Sequence, residues 1–261
     1  MINRIPTQFI SQEDRLAFLA KKASWLTPQP GPAVRPSDLA QRLQAINPLR
    51  YARGRNYVDG PVSRLSAHIR HGQVDPADLD RLSAGFDPDS IEKWNQELAW
   101  RSFWHHVLTH HPEWAWEDAE PIKTGWPISQ YSDELPPDIA SGQTGVACLD
   151  HWIKELTETG YIHNHVRMYL AAYVVHWRHV KWQAGAAWFL SVLVDADIAS
   201  NNLSWQWVAS TFSNKPYFFN LENVQKYAPE TVDTRPQSNY VLDASYDTLR
   251  SRLFPNGVSH E

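Results

Sequence analysis

Four stretches of this chain place rings, carboxylates, guanidiniums and amides at spacings that bring them together. In WNQELAWRSF (94–103), Trp94, Glu97 and Arg101 stand at i, i+3 and i+7 and so share one face of a helix. An aromatic, an acid and a base on one stripe suit a pocket for a polar, planar ligand. The plainer alternative is a Glu97–Arg101 surface ion pair beside a core tryptophan. In GYIHNHVRM (160–168), Asn164 and Arg167, continued by Ala171, line one helical face entered from the Gly160 turn. In DADIASNNLSWQWVAST (195–211), Asp195 and Asp197 follow the apolar stretch Trp188–Val194, which favours their partial burial. A buried carboxylate demands a partner, and Arg167 is the natural one; the alternative is a wet helix C-terminus with both acids in solvent. The fourth stretch, VSRLS (62–66), follows Gly60-Pro61. A turn entering a helix exposes backbone N–H groups, hydroxyls and a positive dipole end, which cradle phosphate; the alternative is a plain serine N-cap.

Charge sharpens this picture. From Arg50 to His71 there are five arginines (Arg50, Arg53, Arg55, Arg64, Arg70) and one acid, Asp59, so this segment can hold an anion, although it also reads as a solvated arginine face. The whole chain carries a formal net charge of -5, which speaks against a protein whose affinity rests on broad phosphate neutralisation. His105, His106, His110 and His111 include i, i+4 pairs, but no H-E-x-x-H motif or Cys/Asp set accompanies them, and no metal site is expected. No CxxC offers ligands for an iron–sulfur cluster. The single cysteine, Cys148, rules out an intramolecular disulfide and fits a reducing compartment. The longest apolar run, Ala184–Val194, is too short to span a bilayer, and the N-terminus has no apolar signal region, so a cytoplasmic protein is expected. Thirteen tryptophans, beside 10 tyrosines and 9 phenylalanines, exceed what packing alone invites, because each buried indole N–H needs a partner. A planar ligand to stack on, or electron transfer between rings, is a second reason for them.

The elements that must position these groups read as helices. Ser11 caps a helix over 11–26, with Asp14 at N3; Pro28, Pro30, Gly31, Pro32 and Pro36 form a loop; Ser37 caps a helix over 38–46. Further helices are expected at 63–70, from Pro76 through Leu82, at 90–110, 145–158, 163–180, 184–196 and 201–210, with 112–140 an extended loop. No period-2 strand longer than a few residues and no internal repeat occurs. The chain is read as all-α, with an N-terminal helical extension (1–48), a helical ligand-binding domain (49–227) and a short polar C-terminal tail (228–261) that has one helical stretch near Ala244–Leu253.

Taken together and in order, the four stretches resemble the FAD-binding domain of DNA photolyases and cryptochromes. That family's patterns are T-S-x-L-S, W-x-x-E-L-x-W-R-x-F, G-W-x-H-N-R-x-R-M and D-x-D-x-A-x-N-N-x-x-W-Q-W-x-A-S-T, followed by P-Y-F, here PYF at 216–218. The resemblance covers roughly residues 50–220 and implies an all-α fold with FAD folded back on itself at its centre. It implies phosphate-side contacts from Tyr51, Ser63, Arg64, Leu65 and Ser66, and a pocket wall from Trp94, Glu97, Arg101 and Tyr161. Asn164, Arg167, Asp195 and Asp197 would surround the isoalloxazine edge, with Arg167–Asp195 as a salt bridge and Asn201 facing flavin N5. It also implies electron transfer along tryptophans: Trp205 nearest the flavin, Trp182 in the middle and Trp126 as the candidate outer ring. Each of these rings also reads as core packing.

Departures from the family bear on function. The family's N-terminal antenna domain has no counterpart in the sequence, Val62 replaces Thr, Tyr161 replaces Trp, and His165 stands where photolyases place an Arg. Phe218 follows the tyrosine of PYF where an arginine is usual, and after Ala228 a short polar tail replaces the family's remaining helices. Glu97, Trp100, Asn164, Met168 and Trp207 nevertheless match the lining of the pyrimidine-dimer pocket. Three readings follow. One is a blue-light or redox-responsive flavoprotein with a protein partner; another is a minimal deoxyribodipyrimidine photo-lyase acting on single-stranded or damaged DNA; the third is a light-independent role in which the fold survives without FAD. None involves a membrane.

Overall fold

The computed structural model describes residues 38–256 except Ala84 and Asp87; the expected helix over 11–26, the proline loop and the Ser37 cap lie outside the described residues. No sheet occurs among the described residues, whose one β-bridge joins Ser132 to Val180. None of their helices is long and apolar enough to cross a membrane.

The first helices are short. α1 (Leu39–Gln44) ends before the expected 46. α2 (Pro48–Gly54) was not expected from the arginine run, yet its start is conventional: Asn47 accepts from Arg50 N at 2.9 Å and Pro48 sits at N1. α3 (Ser66–Arg70) begins three residues later than expected, because Arg64 adopts φ 51, a left-handed conformation that no helix continues through. α4 (Pro76–Ser83) leads to α5 (Pro88–His110), a 23-residue helix about 35 Å long that packs against α2.

Residues 112–135 run mostly as an irregular loop, held down by Gln206 of α10 (Ile198–Ala209), the helix that also packs on α5. The buried Gln206 amide donates to Trp114 O (2.7 Å) and Glu117 O (3.0 Å) and accepts from Ala119 N and Thr211 Oγ1 (both 2.9 Å), so every position on it is filled. α6 (Pro137–Ala140) precedes α7 (Ala147–Thr159), which buries Cys148, Leu149, Trp152, Ile153 and Leu156 along one stripe and stops at Gly160 with φ 66.

α8 (Asn164–Ala172) does not run on to 180 as expected. It widens into a π-helical turn, Tyr173–Trp177, with Arg178 N bonded to Tyr173 O, and the chain turns away at His179 (φ 46) so that His179 O and Lys181 N pair with Ser132. α9 is Trp182–Val192, earlier at both ends than the expected 184–196, and a turn at Val194–Asp195 leads to Asp197, which caps α10 through Ser200 N (2.9 Å). α11 (Leu221–Tyr227), unexpected from the sequence, is capped by Asn220, whose side chain accepts from Asn223 N.

Residues 228–256, read as a polar tail, are packed instead. Val232, Leu242, Leu249, Leu253 and Phe254 are buried, and α12 spans Tyr246–Leu253. The reason is Asn239, fully buried, which accepts from Cys148 N (3.0 Å) and donates to Asp233 O and Arg235 O, stitching the segment to the start of α7.

Candidate functional site

A cavity of about 790 Å³ opens among α2, α3, α5, α8, α9 and α10. That size is ordinary for a cofactor pocket. All fourteen residues expected around the cofactor line it: Tyr51, Ser63, Arg64, Leu65, Ser66, Trp94, Glu97, Arg101, Tyr161, Asn164, Arg167, Asp195, Asp197 and Asn201. Trp100, Met168, Trp205 and Trp207 line it too. Trp182 and Trp126 do not appear in its walls.

The plainer alternative, a Glu97–Arg101 surface pair, does not form. Glu97 binds Lys93 Nζ at 2.9 Å and Arg55 Nη1 at 3.2 Å. Arg101 turns instead to Asp197 Oδ2 (3.2 Å), which also meets His105 Nε2 at 3.0 Å. Burial pushes the Asp197 carboxyl up, but the Ser200 N–H with Arg101 and His105 outweighs it and holds the group below its ordinary value. Asp195, whose side chain is 2% exposed, accepts from Arg167 Nη2 at 2.8 Å, and Arg167 Nε donates to Ile162 O. Burial raises this carboxyl too, and Arg167 together with the Ser66 hydroxyl overcomes that, so it stays ionised. Its second oxygen is buried and has no partner in hydrogen-bond geometry.

Backbone contacts hold this acidic loop in place. Arg70 Nε donates to Ala196 O, His71 Nε2 lies 2.9 Å from Val194 O, and Val194 N donates to Gly160 O at 2.9 Å. Arg64 and Arg167 sit 5.4 and 5.7 Å from the Tyr161 ring, so the ring that replaces the family's Trp carries two cations. Tyr51 meets Trp94 edge to face, and burial together with Glu97 pushes its hydroxyl up to about 12 against the opposing pull of Arg55.

Asn201 commits both amide hydrogens elsewhere, to Ala186 O (3.1 Å) and Asn202 Oδ1 (2.8 Å). With the amide oriented by that network, Oδ1 is the atom left for the cavity. Trp205, 2% exposed, stands edge-on to Phe189 at 5.0 Å, and Gly185 of α9 lies so close that a Cβ there would fall 2.3 Å from Trp205 Cη2 and Cζ3. Trp182 starts the same helix and is also buried; its Nε1 donates to Asp118 Oδ1 at 2.6 Å. Trp126 donates to Leu253 O (2.6 Å), with its ring 4.8 Å from that of His179. Trp100 and Trp207 are exposed at the mouth, and Asn164 Nδ2 approaches Met168 Sδ at 4.0 Å.

The sequence reading overlooked Arg55, Lys93 and His163 as wall residues. Lys93 was findable, standing four residues before Glu97 on the same helix, and Arg55 lies in the arginine run. His163 caps α8, its Nδ1 accepting from His165 N at 3.1 Å, which leaves the neutral ring's proton on Nε2.

Burial, helped by His165, Arg64 and Arg167, pushes the His163 imidazole down to about 4, and burial does the same to His176 behind the cavity, against its hydrogen bond to Val208 O. Both titrate lower in the folded than in the unfolded chain. Between those values the unfolded chain binds more protons, so stability falls as pH falls. Each is expected to cost about 1 kcal/mol by about pH 5.5 and about 3 kcal/mol near pH 4. Denaturant unfolding across this range checks it: His176→Gln should flatten the slope, and an unchanged slope would place the acid sensitivity elsewhere.

Comparison with known proteins accords with this geometry. Residues 94–241 match the family model described as the FAD binding domain of DNA photolyase. A deoxyribodipyrimidine photo-lyase of Streptomyces griseus is 38% identical over 150 residues, 58% of this chain and 32% of the relative. A class III photolyase structure from Agrobacterium tumefaciens superposes with a TM-score of 0.63 at 24% identity over 94% of this chain and 58% of that one. A cryptochrome structure from Synechocystis does so with 0.64 at 23% identity, over 88% and 46%. The chain thus spans about a third of the length of the curated relatives it matches. The protein belongs to the family of FAD-binding domains of DNA photolyases, and FAD is its cofactor.

Proposed function

We propose that the protein performs light-driven electron transfer through Trp182 and Trp205 to FAD and serves as a blue-light or redox-responsive flavoprotein. The observation that carries this reading is the placement of Trp205, a buried ring in the cavity wall, with Trp182 one turn from Gly185 on the helix against which Trp205 packs.

The cavity suits the cofactor chemically. An isoalloxazine edge carries donors and acceptors side by side, and the walls offer the unpaired Asp195 Oδ1, the Asn201 Oδ1 and the guanidiniums of Arg101 and Arg167. The residues assigned to hold it are Tyr51, Ser63 to Ser66 and Trp94 on one side, and Glu97, Arg101, Tyr161, Asn164, Arg167, Asp195, Asp197 and Asn201 on the other. When bound, FAD supplies a chromophore that exchanges single electrons. Phe189 and Gly185 fix the Trp205 ring and exclude water from it. Asp118, exposed, holds Trp182 Nε1–H at 2.6 Å and is the base placed to take that proton when the indole is oxidised. Trp126 stays the candidate outer ring.

Absorption spectra of the purified protein in darkness and after blue light, with a reductant present, test the reading. A yellow protein whose flavin bands bleach supports it, and flavin bands that light leaves unchanged refute it.

A second reading, repair of pyrimidine dimers, is favoured by one further observation: Glu97, Trp100, Asn164, Met168 and Trp207 all line the same cavity, with Trp100 and Trp207 exposed at its mouth. The names of the curated relatives point the same way. Flipping a lesion into such a pocket costs a few kcal/mol, offset by stacking on rings like these and by phosphate contacts. With His165 where photolyases place an Arg, single strands are the favoured substrate. Light-dependent recovery of thymines from dimer-bearing single-stranded and duplex oligonucleotides decides it, and no recovery on either excludes repair.

A further inference from the structure

A second cavity, of about 580 Å³, lies among α1, α2 and the Pro61–Ser63 turn, sharing Tyr51, Val62, Ser63 and Trp94 with the first. Its own contribution is cationic. Arg42 and Arg50 line it and not the larger cavity, and neither makes an ion pair among the described residues. Arg42 Nε is buried without a hydrogen-bond partner, and so is the Nε1 of Trp94, a residue 4% exposed. Both atoms are donors and nothing else, so two residues of the lining carry a buried donor without an acceptor. One carboxylate, Asp38, also lines the space, which leaves the two guanidiniums in excess. Planar guanidinium forks match phosphate oxygens two at a time. The edge-to-face pair of Tyr51 and Trp94, with ring centroids 5.3 Å apart, adds aromatic surface beside them.

We propose that this cavity binds a phosphate monoester of mononucleotide size, its phosphate on Arg42 and Arg50 and an acceptor atom toward Trp94 Nε1–H. The occupant is distinguished from FAD by its seat on Arg42 and Arg50, which stand outside the flavin cavity, while Tyr51, Val62, Ser63 and Trp94 border both; the assignment does not depend on light-driven chemistry. A nucleotide held there contacts the back of Tyr51 and Trp94, whose other surfaces form the flavin wall, so its presence bears directly on how firmly that wall is held.

Calorimetric titration of the FAD-loaded protein with AMP, and in parallel with adenosine, tests this. One AMP is expected to bind per chain, more weakly as salt rises, with adenosine about tenfold weaker or worse. The double variant Arg42→Gln/Arg50→Gln should lose about a hundredfold in AMP affinity, about tenfold for each guanidinium, with its flavin content and melting unchanged. Absence of AMP binding to the loaded protein overturns the proposal. So does equal affinity in the double variant, or AMP binding that appears only in FAD-free protein and is displaced by FAD, which would make the cavity part of the flavin site.

Discussion

Arg167→Met is expected to lower stability by about 3–5 kcal/mol and to abolish flavin retention, the largest effect predicted for a single side chain. The reason is the asymmetry of buried ion pairs. Asp195 is held ionised in a site where burial alone would protonate it, and Arg167, at 2.8 Å, is the main force opposing that. Methionine keeps the bulk of the stem and removes the charge, leaving the carboxylate to take up a proton or to draw water into the core. It also removes the Arg167 Nε bond to Ile162 O, which braces the turn into α8. Urea unfolding at neutral pH measures the loss. Asp195→Asn in the same background should restore part of it, because an amide needs no counter-charge. The deficit should also narrow in acid. In the parent, a carboxyl held low contributes stability that is present above its unfolded value and lost as pH falls through its folded one; in the variant the same carboxyl moves up and that contribution is already gone. A cost below about 1 kcal/mol would mean that Asp195 is solvated rather than paired.

This pair shows what a sequence can and cannot convey. Arg167 and Asp195 lie 28 residues apart, but each sits in a local pattern that predicts burial, and a buried charge must be answered; that logic needed no coordinates. Trp94, Glu97 and Arg101 were likewise legible as one helical face, because helix periodicity is a property of neighbours. Their partners were not. Glu97 meets Arg55 and Lys93, and Arg101 meets Asp197, since choosing among several cations near one acid depends on how α2, α5 and the 193–197 loop are set in space. Helix limits failed for similar reasons. The 163–180 helix was broken by the pairing of Ser132 with residues 179–181, a contact some 48 residues away. The polar composition of 228–256 hid a packed segment, because Asn239 reads as a solvent residue until its three backbone partners are seen. α2 and α11 are different: Asn47-Pro48 and Asn220 are caps legible in the sequence, but the helices they start run seven residues each, too short to show an apolar period.

The second large effect belongs to Trp205 and the glycine beneath it. Trp205→Phe is expected to slow flavin photoreduction about tenfold or more, equivalent to about 1.4 kcal/mol or more of barrier, while flavin binding persists, because phenylalanine fills the site but is far harder to oxidise. Gly185→Ala approaches the same ring from the other side. In a helix this change normally stabilises by about 0.5–1 kcal/mol. Here the new methyl would stand 2.3 Å from two ring carbons of an indole that Phe189 already packs against edge-on. Overpacking of this kind costs about 1–3 kcal/mol, so destabilisation should win despite the better helix propensity. The ring that gives way is the one facing the cavity, so photoreduction should slow along with stability. Combining the two substitutions separates packing from electron donation. A phenylalanine at 205 leaves room for the methyl, so Gly185→Ala should cost much less stability in that background than in the parent, a coupling read directly from a double-mutant cycle. If the two costs simply add, Gly185 does not hold Trp205, and the positioning of that ring must be sought in Phe189 instead.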